Sequence, residues 1–247
     1  MYDYWLGGTD HFEAIRDEGE RLLHVNPDLR RLAVENWQFV RRAVRWLAAD
    51  CGVRQFLDVG SGLPTASNTH DVAQAVAPDS KVAYVDNDPA VVLQAAELLA
   101  EGHNIVAVRG DAAEPAAILA PRVNALVQPG RPYAVILAAV LHFFPLAAAG
   151  RIITDFADLT ALGSYLIISV GSSGNQMARN YTDGTLHHHS PSEIRSLLTG
   201  LEIIDPTGLV DAADGAPGTL APVPTGSGGR IRAAVARIPG TVRAGTE

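Results

Sequence analysis

The chain is poor in cysteine, lysine and aromatic residues. Cys51 is the one cysteine among 247 residues, which excludes an internal disulfide framework and fits a reducing cytoplasm. Lys81 is the one lysine among 19 basic residues, and the net charge is −8, with a pI near 5.4. Such a balance argues against sequence-independent binding to nucleic acid, which requires a cationic surface, and leaves room only for a local basic patch. No stretch approaches the roughly 18 uncharged apolar residues of a membrane-spanning helix. The N-terminal run MYDYWLGGTDHFEAIRDE has no basic start followed by an apolar segment, so it does not read as a secretory signal. These absences point to a cytoplasmic protein without a membrane partner.

What is present is ordinary globular material. Apolar residues make up 47% and charged residues 19%, which rules out global disorder. The length fits one large domain. No internal repeat is visible, and only residues 211–229, rich in Gly, Pro and Ala, read as a loop.

The first 50 residues read as an aromatic arm, Tyr2-Asp3-Tyr4-Trp5-Leu6-Gly7-Gly8, followed by helices. Asp10 with Glu13 three positions later forms a capping-box signal for a first helix. Asn26 and Pro27 predict the cap and first position of a second. Its apolar residues, Leu29, Leu32, Ala33, Trp37, Val40, Val44 and Leu47, share one face. Arg30, Arg31, Arg41, Arg42 and Arg45 fall mostly outside that face and read as solvated. Gly52 is the expected stop.

From residue 53 the pattern becomes short apolar runs alternating with helical segments. Strands are predicted at 55–59, 81–85, 105–109, 133–138, 164–170, 201–205 and 231–238. Helices are predicted at about 68–76, from Asp88-Pro89 to Gly102, at 146–162, and from Ser190-Pro191-Ser192-Glu193 onward. Alternation of this kind predicts an α/β fold: a doubly wound, mostly parallel seven-stranded sheet with an antiparallel C-terminal end. Residues 1–50 would add an N-terminal arm and helical cap to a core at 51–247. Ligands of such sheets sit beyond the carboxyl ends of the strands. Chemistry is therefore sought at 58–62, 86–88, 111–112, 138–143 and from Gly171 onward.

The first strand end reads Asp58-Val59-Gly60-Ser61-Gly62-Leu63-Pro64. The glycines let backbone turn tightly and approach a ligand. Thr65 stands where a dinucleotide fingerprint places its third glycine, and Asp58 puts a carboxylate where a pyrophosphate would be repelled. A ligand with an ammonium or sulfonium group suits that acid better. Asp86, 28 residues later at the second strand end, can accept from both hydroxyls of a ribose. Asp111, with Ala112 beside it at the third strand end, can accept from an adenine amino group. Only Arg109 supplies a cation near these three acids. They describe a cationic adenosine ligand.

The sequence resembles an actinobacterial S-adenosylmethionine-dependent methyltransferase family once catalogued as a domain of unknown function. The resemblance covers about residues 2–170, more loosely to 210. It rests on Tyr2-Asp3-Tyr4 with Leu6-Gly7-Gly8, on Gln55-Phe56-Leu57-Asp58 and Gly62-Leu63-Pro64-Thr65, and on Asn68, His70 and the run from Val72 to Pro78. Tyr84-Val85-Asp86-Asn87-Asp88-Pro89 and Ala139-Val140-Leu141-His142-Phe143 also match. It implies a Rossmann-like methyltransferase core that binds S-adenosylmethionine through the Gly60, Ser61 and Gly62 loop, Asp58, Asp86 and Asp111. His11 and Ile15 depart from the Asn and Asp usual in the family, and the segment 171–189 is shorter and differently composed. The family has few assigned acceptors, so the resemblance indicates a cofactor rather than an acceptor.

Further candidates are Asn87 near the adenine, Asn68 near the amino-acid end of the cofactor, and Ala138 at the fourth strand end. Tyr4 and Gly8 belong to an arm expected to fold over the cofactor, because exposed large aromatics are unusual. His142 occupies the position where many methyltransferases place a residue facing the transferred methyl. Imidazole there can take a proton from an acceptor hydroxyl or amine; packing against apolar neighbours is the other reading. His187-His188-His189 reads as a polar loop and no metal site is expected, because adjacent residues rarely share one metal. Cys51 reads as structural.

The expected reaction is in-line methyl transfer to a small-molecule acceptor, with secondary metabolism as one setting. A cofactor-binding protein with a cyclising or regulatory role is the alternative, and a nicotinamide-dependent oxidoreductase fits less well. The sequence leaves the oligomeric state open, a homodimer included.

Overall fold

The computed structural model describes residues 2–8, 13–64, 67–98, 104–172, 186–187, 189–204, 210–212 and 230–240. Asp10, His11, Thr65, Gly102, His188 and most of the 171–189 and 211–229 segments lie outside them.

Helices α1 (Tyr2–Trp5), α2 (Glu13–Val25) and α3 (Leu29–Ala49) precede strand β1 (Gln55–Val59). Then follow α4 (Thr69–Val76), β2 (Lys81–Asp86), α5 (Pro89–Leu98) and β3 (Ile105–Arg109). Two single turns, α6 (Pro115–Ile118) and α7 (Pro121–Asn124), lead to β4 (Ala134–Ala138). A 3-10 turn at Leu141–Phe143, α8 (Leu146–Leu159) and β5 (Tyr165–Ser172) come next. The chain ends with α9 (Pro191–Leu197), β6 (Glu202–Ile203), β7 (Val210–Asp211) and β8 (Arg230–Arg237).

The strand order is β3-β2-β1-β4-β5-β8-β6, with β7 pairing β8 off that path. Strands β1 to β5 are parallel, and β8 runs antiparallel to β5 over eight residue pairs. All seven expected strands are present, and the eighth is the two-residue β7. The chain winds outward from β1 to β3, then crosses back to β4. That places the switch point between the ends of β1 and β4.

Alternation along the strands feeds two cores. Leu57, Val59, Ala83, Val85, Val135 and Leu137 face α6, α8 and α9. Phe56, Val82, Tyr84, Ala134 and Ile136 face α3, α4 and α5. Helices therefore cover both faces, as a parallel sheet requires.

Helix α3 begins later than the Asn26-Pro27 signal implies. Asn26 instead accepts the Asp28 N–H on Oδ1 at 3.0 Å, and Asp28 is the N-cap. The arginine face is also less solvated than expected. Arg41 stacks 4.4 Å from the Trp37 ring centroid, and half-buried Arg42 donates to the Ala212 carbonyl at 2.8 Å.

That last bond fixes the height of α3. Ala212 donates to the Ile231 carbonyl, and Ile231 pairs with Gly171 near the carboxyl end of β5. The C-terminus of α3 feeds β1 from below through a short link. At about 1.5 Å per residue, the turns of α3 before Phe39 therefore stand beyond the carboxyl ends of the strands. Helix α1 packs there, on α3 and α2.

Candidate functional site

The glycine loop is fixed by backbone bonds. Gly60 and Ser61 N–H both donate to the Val85 carbonyl, at 2.7 and 3.1 Å. Gly60 and Gly62 have φ of +69° and +65°, a region that costs a residue with a Cβ about 1–2 kcal/mol. A Cβ at Gly60 would also run into Cγ2 of Val140. Gly60 follows β1 and Val140 follows β4, so this close approach closes the switch point.

Asp86 ends β2. Its Oδ2 accepts the Gly62 N–H at 2.9 Å, and its Oδ1 accepts the Asp88 N–H at 3.0 Å. Both oxygens keep a further lone pair. Asn87 is exposed, and its carbonyl accepts from Arg109 Nε at 3.3 Å. Asp111 is exposed and accepts the Ala113 N–H at 2.9 Å. The neighbouring Ala112 side chain is buried in the core, which leaves only its backbone for a ligand.

Asp58 lies on β1, half-buried, and accepts Thr69 Oγ1–H at 2.6 Å. Burial pushes its carboxyl up to about 6; repulsion from Asp86 adds to this and the Thr69 bond opposes it. Thr69 opens α4. Beside it the His70 N–H donates to Tyr84 Oη at 3.0 Å, and the His70 ring meets the same oxygen at 2.7 Å. Burial holds Tyr84 well above the ordinary tyrosine range. Asn68 caps the helix, with its N–H bonded to Asp71 Oδ2 at 2.8 Å.

The fourth strand end is strained. After Ala138, half-buried at the end of β4, Ala139 has φ +57°. Its N–H is shared between the carbonyl and Oγ of Ser169, both at 3.0 Å. This bend leads to Val140, over Gly60, and to His142. Gly171 N–H donates to His142 Nδ1 at 3.3 Å. His187 and His189, which follow β5, pack on this turn. His187 N–H donates to the His142 carbonyl at 2.7 Å, and the buried His189 ring bonds the Phe144 carbonyl through Nε2 at 3.1 Å.

Tyr4 sits on the helical cap. Its hydroxyl meets Glu20 Oε1 at 3.1 Å, and Arg30 stands 5.4 Å from its ring centroid. A Cβ on Gly19 would come within 2.7 Å of Tyr4 Cδ1, so the missing side chain makes the seat. Gly8 follows at the edge of the described arm.

A glycine cradle at the switch point, bordered by carboxylates and closed by Val140, fits an adenosine ligand bearing positive charge. The model of one family, described as S-adenosyl methyltransferase, matches residues 1–239. The chain belongs to that family. It is an S-adenosylmethionine-dependent methyltransferase, and S-adenosylmethionine is its cofactor.

Two solved structures share the likeness over nearly all of this chain. A candidate methyltransferase from Thermobifida fusca YX is 34% identical, with a TM-score of 0.88 over 96% of this chain and 93% of that one. A DUF574 family protein from Streptomyces avermitilis MA-4680 is 32% identical, with a TM-score of 0.84 over 96% and 95%. The N-methyltransferase NodS from Bradyrhizobium japonicum WM9, 12% identical, shares the fold with a TM-score of 0.53 over 87% and 98%. No curated protein matches. Among the described residues, no helix of the methyltransferase is long and apolar enough to cross a membrane.

Sequence reasoning did not single out Thr69 or Ser169, and gave Tyr84, Ala139 and Val140 no role of their own beyond the resemblance and the strand end at 138–143. Thr69 alone carried a usable signal, as the residue after a helix cap beside a strand-end acid. The others act through contacts between distant segments.

Proposed function

We propose that the enzyme transfers the methyl group of S-adenosylmethionine to a small-molecule acceptor by in-line displacement. The observation that carries this reading is the Gly62–Asp86 bond, which joins the glycine cradle to the carboxylate that would accept from the ribose hydroxyls. Asp58 would face the ammonium group, with Asn68 at the amino-acid end. Asp111, Asn87 and the backbone of Ala112 would meet the adenine. The cradle of Gly60, Ser61 and Gly62 would lie under the ligand, with Ala138 beside it.

When bound, the cofactor supplies a methyl carbon on a good leaving group, so the protein's work is positioning. Tyr4 and Gly8 belong to a cap that would cover the cofactor and exclude water. His142 would stand on the acceptor side. The net charge of −8 argues for a small acceptor rather than nucleic acid.

Calorimetric titration with S-adenosylmethionine, S-adenosylhomocysteine and NAD tests the site. Micromolar binding of the first two and none of NAD is expected. Labelled cofactor incubated with a metabolite extract should then give a labelled small product. Binding without any labelled product would favour a non-methylating role for the site.

A further inference from the structure

We propose that Thr69 is a positioning residue that makes the site select ligands bearing an ammonium group. Its hydroxyl holds one oxygen of Asp58 and leaves the other for the amino-acid end of the cofactor. The proposal rests on the reading above in which Asp58 faces that ammonium group.

The strands place the acid. Asp58 pairs with Tyr84 across β1 and β2. Side chains alternate along a strand, so Asp58 shares a face with Phe56, and Asp86 shares a face with Tyr84. Phe56 and Tyr84 belong to the core under α3, α4 and α5. Asp58 and Asp86 therefore continue that face toward the carboxyl ends of the strands, close enough to repel each other. Thr69, buried at the first position of α4, reaches Asp58 from the helix layer, where its Oγ1–H donates to Oδ2 at 2.6 Å. The next residue is clamped to the sheet, because the backbone N–H and the ring of His70 both meet Tyr84 Oη. The first turn of α4 cannot leave Asp58 without also breaking its hold on β2.

Two consequences follow for a ligand. Among the described residues, the Thr69 bond is the one hydrogen bond that the Asp58 carboxylate makes. With Oδ2 tied, the carboxylate no longer turns freely, and Oδ1 is held ready to accept from an ammonium group. The donor is also neutral. A lysine or arginine at this place would orient the acid and cancel its charge. A hydroxyl orients it, opposes the burial that favours the protonated form, and leaves the negative charge to the ligand. A ligand without an amino-acid tail gains nothing from either effect.

The test is calorimetry with S-adenosylmethionine, S-adenosylhomocysteine and methylthioadenosine, which keeps the adenosine and lacks the amino-acid tail. Thr69→Val should weaken the first two about tenfold and methylthioadenosine less than about twofold. Thr69→Ser keeps the hydroxyl and should restore most of the loss. Thr69→Ala reads the same selectivity if thermal unfolding shows that the valine variant does not fold. Equal weakening of all three ligands, no weakening, or a loss that serine does not restore overturns the proposal. Asp58→Ala separates the proposal from the reading beneath it. It should reduce the preference for tailed ligands at least as far, and Thr69→Val added to it should cost no further affinity. An unchanged preference in Asp58→Ala overturns the reading and the proposal with it. A preference lost in Asp58→Ala but kept in Thr69→Val overturns the proposal alone.

Discussion

Gly62 N–H donates to Asp86 Oδ2 at 2.9 Å across 24 residues of chain. The glycine cradle and the acid proposed to bind the ribose are thus one mechanical unit. Removing the acid should remove a ligand bond and loosen the loop together.

Asp86→Ala is therefore expected to weaken S-adenosylmethionine binding by well over tenfold in calorimetry. Each hydrogen bond to a charged acceptor is worth about 1.5–3 kcal/mol. Asp86→Asn, which keeps one acceptor oxygen, should lose less. Equal affinity for wild type and Asp86→Ala would disprove the site assignment.

Gly60→Ala combines a left-handed φ with a collision against Val140. Denaturant unfolding should show a loss of at least about 1–2 kcal/mol from the φ alone. Val140→Ala in the same chain should recover the steric part and leave the backbone part. Strict additivity of the two substitutions would mean that the residues do not touch.

The raised Asp58 carboxyl has a stability signature of defined sign. Its native pKa, about 6, lies above the ordinary 3.8, so the folded state holds the proton more tightly. This contribution is present below the ordinary value and lost as pH rises from about 4 to 6. The loss is on the order of 2–3 kcal/mol. Asp58→Asn should then be more stable than wild type at pH 7.5 and lose that advantage at pH 4, read by thermal unfolding. If the ionised Asp58 faces the cofactor's ammonium group as proposed, S-adenosylmethionine affinity should fall several-fold from pH 7.5 to 5 in wild type but not in Asp58→Asn.

Ala139→Gly should relieve the positive φ. The gain of about 1–2 kcal/mol is partly offset by the flexibility of glycine, about 0.5–1 kcal/mol. A slightly higher Tm is expected, whereas Ala139→Val should lower it. A drop in Tm with glycine would show that the bend is not strained.

Gly19→Val should unseat Tyr4. Limited proteolysis should then cut near the N-terminus faster, and S-adenosylhomocysteine should dissociate faster if the arm covers the cofactor site. Faster cleavage with unchanged dissociation would separate the arm from the site.

Much of this was legible in the sequence, for physical reasons. Strands such as Gln55–Val59 and Ile105–Arg109 are bounded by turn residues and read from their apolar runs. Helix α9 declared itself through its capping box, Ser190 to Glu193. The strand-end acids followed once the strands were placed. Contacts between remote segments were not legible: Val140 against Gly60, Tyr84 against His70, Gly171 against His142. No local pattern encodes them. The same holds for the start of α3, where local chemistry at Asn26 was read as a cap and forms a turn instead.

Helix α3 is anchored in the core at one end and carries the cap at the other. It behaves as a cantilever, clamped where Phe39, Ala43, Val44 and Leu47 are buried. Such a beam does not swing as a whole without extracting its root from the sheet. If the arm covers the cofactor as proposed, entry and release fall to the corner at Asn26–Asp28 and to the arm, and the rate of exchange can be tuned there without cost to the global unfolding free energy.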